Sequence, residues 1–139
     1  PFFRKDKDAH KDRLRLVPNG LSGIGVLPHI VYLLLDGDIE GRILSLSRLL
    51  SDMPARIMNL YPRKGIIDEG SDADVIILSE RREPEQVLPS LSDTYNPYVG
   101  FYSKLYFHYV IINGCIVKDG DFIDTSFRGR CLNVRCKGL

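Results

Sequence analysis

The chain has 139 residues, 44% of them hydrophobic and 27% charged, with a net charge of +1. Those values fit one globular unit with a real core. They exclude a strongly basic chain drawn to nucleic acid, and the longest apolar run, Ile30–Leu35, is too short to cross a bilayer.

In chain order, the opening Pro1-Phe2-Phe3 points to a processed or truncated product. Residues 1–25 read as a loop. Arg4 to Arg15 mixes charges of both signs, as a solvated segment does. The following PNGLSGIG holds Gly20, Gly23 and Gly25, with Asn-Gly and Ser-Gly pairs that mark tight turns. Residues 26–36 predict a buried helix with Pro28 near its first turn. GDIEG, Gly37 to Gly41, is expected to break it. A short helix follows over 45–52, capped by Ser45 or Ser47, and a third over 53–61, with Pro54 in its first turn and Pro62 as its end.

After Pro62 the texture turns strand-like. GIIDEG and ADVIILS predict two strands joined by a Gly-Ser-Asp turn. Glu80 to Tyr98 is polar and carries three prolines, Pro84, Pro89 and Pro97, which suggests a surface connection. Tyr106 to Ile123 predicts a β-hairpin turning at Asn113-Gly114, then a second turn in KDGDF. The basic tail RGRCLNVRCKGL reads as an arm. Helices followed by strands indicate either an α+β domain or pieces of two domains, and the pieces are favoured.

Few side chains suggest chemistry on their own. Cys115, Cys131 and Cys136 are odd in number and irregular in spacing, so they are expected to be reduced thiols in a cytoplasmic protein. His10, His29 and His108 lie in a charged loop, an apolar helix and an apolar strand, which favours structural or surface roles over metal binding. Asp72 and Asp74 are expected to cap a turn rather than act as acid and base. Arg63 and Lys64 are expected to form a surface turn or ion pairs.

MPARIMNLYPRKGIIDEGSDADVIIL resembles the C-terminal region of the cyclic amidohydrolases, which include hydantoinases, dihydropyrimidinases, allantoinases and dihydroorotases. In that family an Asn-Pro-Ala-Arg/Lys-Ile helix leads into Tyr-Pro-Arg-Lys-Gly, Gly-Ser-Asp-Ala-Asp and an apolar strand. VPNGLSGI is similar to the loop after the last barrel strand. YNPYVG, VIINGCIVKDGDF and GRCL resemble later segments. Two positions depart: Gly25 stands where a Glu is usual, and Met53 where an Asn is usual.

The resemblance implies an α/β fold, namely the C-terminal fragment of a (β/α)8 TIM-barrel metal-dependent hydrolase with part of its flanking small β-sandwich domain. Residues 1–61 would be the last βα loop and the C-terminal helices of the barrel. Residues 62–139 would be the β-domain segment and a C-terminal arm. The implied activity is hydrolysis of a ring amide. A hydantoinase or dihydropyrimidinase type is favoured; a dihydroorotase, or a non-catalytic structural or assembly relative, is the alternative. The implied cofactor is a binuclear zinc, or other divalent-metal, centre whose ligands lie on the parent protein and not in this chain. Pro1-Phe2 would close the Ser-Asp-His-x-Pro-Phe motif that carries the Asp ligand. The implied site residues here are Asn19, whose backbone would hydrogen-bond the imide or ureide edge of a small cyclic substrate, and Gly20, which would let the backbone approach. No nucleic acid or membrane partner is expected. A homo-oligomer, or the missing barrel segment, is.

Overall fold

A computed structural model describes residues 3–20, 23–87 and 97–132. The chain forms two compact units, Pro1–Leu34 with Arg82–Lys104 and Leu35–Arg81 with Leu105–Leu139. Pro1-Phe2, most of the Pro-rich stretch before Pro97, and the end of the expected basic arm with Cys136 lie outside the described residues.

In the first unit, the segment expected to be loop contains a short helix, α1 (Arg4–Asp8), and a 3-10 turn at Leu14–Leu16. Asp6 explains the helix start: its Oδ2 accepts the Phe3 backbone N–H at 3.0 Å, satisfying a donor that a helix end leaves orphaned. Helix α2 (Leu27–Leu33) forms where the apolar run predicts it, with Pro28 in the first turn, where the missing N–H costs nothing. The unit buries Val26, Tyr32, Val87 and Ser103.

The second unit begins with α3 (Ile39–Ser47): the helical run is interrupted at Gly37 as expected, and the later residues of the GDIEG stretch start a new helix. Asp38 is its cap, accepting the Gly41 N–H on Oδ1 at 2.9 Å. The helical path does not stop at Ser47. It widens into a π turn at Arg48–Asp52 and continues as α4 (Met53–Ile57). The wide turn precedes Pro54, whose ring and missing N–H do not fit a regular helix interior. The path ends at Asn59, which takes φ of 55°, before the cis Tyr61–Pro62 bond.

Among the described residues the strands form one four-stranded sheet in the order β1-β2-β3-β4. Strand β1 covers Val75–Gln86, β2 Tyr102–Ile112, β3 Cys115–Asp119 and β4 Phe122–Ile123. The expected hairpin is present: β2 and β3 pair antiparallel, with Ile112 opposite Cys115 and Asn113-Gly114 between them. A bulge lies between Val110 and Ile111. Two expectations fail. GIIDEG is a loop and not a strand, and β1 runs on through Arg81, Arg82 and Glu83 into the stretch expected to be a connection. The second unit buries Leu46, Ala55 and Leu105.

Candidate functional site

Asn19 and Gly20 lie in the first unit, after the Leu14–Leu16 turn. The loop is held from below by Lys7, whose Nζ donates to the Pro18 carbonyl at 2.7 Å. Asn19 and Gly20 are both exposed. Gly20 takes φ of 99°, a left-handed conformation that a side chain disfavours, yet a Cβ there would meet nothing within 4 Å. Glycine is therefore required by the backbone angle and not by crowding. The peptide beside Asn19 is exposed.

Tyr61 to Asp74, the most specific part of the resemblance, forms a clasp in the second unit. Arg63 Nε donates to Asp72 Oδ2 at 3.0 Å, and Lys64 Nζ reaches the same oxygen at 2.9 Å. Lys64 also binds Asp74 Oδ2. The backbone closes the same loop, with the Asp72 N–H on the Arg63 carbonyl at 2.9 Å and the Ser71 hydroxyl on the Pro62 carbonyl at 2.8 Å. Asp74 then ties the clasp to the hairpin: its Oδ1 accepts the Asn113 N–H at 2.8 Å. These contacts make Asp72 and Asp74 turn-holding carboxylates and place Arg63 and Lys64 in ion pairs. The tie to Asn113 is visible only in three dimensions.

Burial opposes the charge on Lys64, but hydrogen bonds to Asp74 and Asp72 outweigh it and hold the ammonium above the usual lysine value. The Lys64 hydrogen bond, aided by Arg63, holds the Asp72 carboxyl below the usual carboxylate range. Beside the clasp, a cleft of about 560 Å³ is lined by apolar side chains including Ile43, Leu50, Ile76 and Leu78, with Lys64 and Asp74 at its edge.

The sheet carries the remaining polar side chains. Ser79 Oγ and His108 Nε2 are 2.8 Å apart. The His108 ring meets Tyr106 edge-on at 4.7 Å, and the Arg81 guanidinium lies 4.0 Å from the centre of the Tyr106 ring. Alternation puts Glu80 on the opposite face, where it pairs with Arg42 of α3 at 3.1 Å. His10 is exposed, and burial lowers the pKa of His29. Among the described residues no group of three or more His, Cys, Asp or Glu side chains is placed to hold a metal ion. Cys115 and Cys131 are free thiols, both exposed. Among the described residues no helix is long and apolar enough to cross a membrane.

No family model matches the chain. Individual proteins do. A D-hydantoinase of Ralstonia pickettii is 32% identical over 140 residues, covering 96% of this chain and 30% of that protein. A dihydropyrimidinase of Arabidopsis thaliana is 38% identical over 126 residues, covering 86% and 23%. The solved D-hydantoinase of Bacillus sp. AR9 superposes with a TM-score of 0.71 at 27% identity, over 88% of this chain and 28% of that one. The chain thus spans about a quarter to a third of the length of the relatives it matches. Likeness in sequence and in fold over nearly all of its residues places this chain in the hydantoinase and dihydropyrimidinase family of cyclic amidohydrolases.

Proposed function

We propose that the protein to which this chain belongs hydrolyses a cyclic amide or ureide of the hydantoin or dihydropyrimidine type. The observation that carries this is the continuous likeness, over 96% of the chain in one case, to proteins named as hydantoinases and dihydropyrimidinases. Residues 1–61 are then the last βα loop and closing helices of a (β/α)8 barrel, and residues 62–139 belong to its flanking β-domain and arm. The metal ligands belong to barrel segments other than these.

The contribution of this chain to the site is the Pro18-Asn19-Gly20 loop. βα loops at the C-terminal face of a barrel build its active site. The Asn19 backbone offers an N–H and a carbonyl, which pair with the carbonyl and N–H along one edge of a cyclic imide or ureide. Gly20 keeps that peptide face clear. Lys7 on the Pro18 carbonyl limits movement of the loop, so less order has to be imposed on binding. The helices support the same reading from another side. In the second unit Leu44, Leu49, Met53 and Ile57 are exposed, and in the first Leu33 and Leu34 are, apolar side chains suited to burial against the rest of a barrel.

The test is kcat/KM of the full-length, metal-loaded protein for hydantoin, dihydrouracil, dihydroorotate and allantoin. Preference for hydantoin or dihydrouracil supports the proposal. Preference for dihydroorotate or allantoin moves the assignment to that branch of the family. Failure to open any of these rings overturns the enzyme reading in favour of a non-catalytic relative.

A further inference from the structure

The chain contains two Asn-Gly pairs, Asn19-Gly20 and Asn113-Gly114. The dipeptide is chemically labile because glycine leaves the following peptide nitrogen unhindered and its backbone free to rotate. Attack of that nitrogen on the Asn side-chain carbonyl closes a five-membered imide. The structure treats the two pairs in opposite ways.

At Asn113-Gly114 the nitrogen that would attack is engaged. The Gly114 N–H donates to the Ala73 carbonyl at 2.9 Å, and the Asn113 N–H donates to Asp74 Oδ1 at 2.8 Å. Both residues have positive φ, 50° and 77°, the pattern of a tight hairpin turn set by the flanking strands β2 and β3. Closing the imide there requires breaking two hydrogen bonds and untwisting the turn. At Asn19-Gly20 the restraint is weaker: Gly20 also takes a positive φ and Lys7 holds the Pro18 carbonyl, but the attacking nitrogen itself is not engaged among the described residues. Both residues are exposed, no hydrogen bond holds the Gly20 N–H among the described residues, and the space around Gly20 is open to 4 Å.

We propose that Asn19 is a site of spontaneous deamidation and isoaspartate formation, and that Asn113 is protected from the same reaction by its hairpin. The Gly20 nitrogen forms a bond to Asn19 Cγ, the Cγ–Nδ2 bond breaks, and the amide proton leaves with the departing ammonia. Water then opens the imide at either carbonyl carbon. One opening leaves Asp at position 19; the other leaves isoaspartate, which routes the main chain through the side chain. Either product adds a negative charge to the loop. The chemistry does not depend on the function proposed above. Only its consequence, loss of the substrate-facing peptide, rests on that reading.

The experiment is incubation of the purified full-length protein at mildly alkaline pH, followed by tryptic digestion at low pH and mass spectrometry. The two sites fall in separate peptides, Leu16–Arg42 and Leu105–Lys118, each with a single Asn and no Gln. A gain of one dalton should accumulate in Leu16–Arg42 at least about tenfold faster, the factor set by a local opening cost of ~1.4 kcal/mol at Asn113. In protein unfolded by guanidinium the two rates should converge. Equal rates in the folded protein, faster reaction at Asn113, or a gap that persists on unfolding would overturn the proposal.

Discussion

A methyl group placed on Gly65 would fall 2.6 Å from the Cβ of Ala55, which is only 5% exposed. The loop after Pro62 therefore rests its bare backbone against α4, and Gly65 adopts φ of 86° to do so. Replacing it with Ala should lower unfolding stability by about 2–4 kcal/mol, from the left-handed angle and the overpacking together. Gly70 has nearly the same angle, 85°, but nothing within 4 Å of an added Cβ. Gly70→Ala should cost only about 1 kcal/mol. Denaturant unfolding of the two variants measures the difference, and equal losses would mean that the contact with Ala55 is unimportant.

The clasp should show in the pH dependence of stability. The depressed pKa of Asp72 adds stability that is full above the ordinary carboxylate value and is lost as pH falls through the lower, folded-state value. The raised pKa of Lys64 has the opposite sign: its share is full below the ordinary lysine value and is lost as pH rises through the folded-state one. Asp72→Asn should lower Tm at neutral pH, and the gap to the unaltered protein should close in acid. Asp124, also held low by Ser126, keeps part of the acid dependence in both proteins. A gap independent of pH would show that shape, and not charge, is what Asp72 supplies.

Substitutions in the Pro18-Asn19-Gly20 loop separate backbone from side-chain reading. Asn19→Ala keeps the peptide groups and should leave kcat/KM within a few fold. Gly20→Ala must alter a peptide that sits at φ of 99°, and should lower kcat/KM by about tenfold or more, a loss of ~1.4 kcal/mol of transition-state binding. The reverse order would assign recognition to the Asn19 amide.

How much of this is legible in the sequence differs by element. Helix α2 and the Asn113-Gly114 hairpin are, because Pro28 and the Asn-Gly turn are local signals whose geometry leaves few alternatives. The start of α3 is not. Gly37 marks the break after α2 as expected, but Asp38 then caps a new helix that takes in Gly41. Continuation through Pro54 needs a π turn that no residue pattern announces. The charged end of β1 forms a strand through backbone pairing, to which side-chain alternation is blind. GIIDEG has strand composition, but Lys64, Asp72 and Asp74 draw its flanks together into a loop. Asn19 and Gly20 are singled out by resemblance; the structure adds their exposure and the left-handed angle.

Deamidation gives a further prediction in function. Activity of stored protein should decay in step with conversion of the Leu16–Arg42 peptide, while conversion of Leu105–Lys118 lags behind. Parallel assay and mass spectrometry on one time course would test it. Full conversion at Asn19 with unchanged kcat/KM would show that the Asn19 backbone does not face the substrate.

The most direct measurement is a crystal structure of the full-length, metal-loaded protein with a non-hydrolysed hydantoin or dihydropyrimidine analogue bound. The account predicts the imide or ureide edge of the ring at hydrogen-bond distance, about 2.9 Å, from the backbone N–H or carbonyl of Asn19, with Gly20 against the ring plane. A ring bound at the metals with the Pro18-Asn19-Gly20 loop turned away from it would contradict the account.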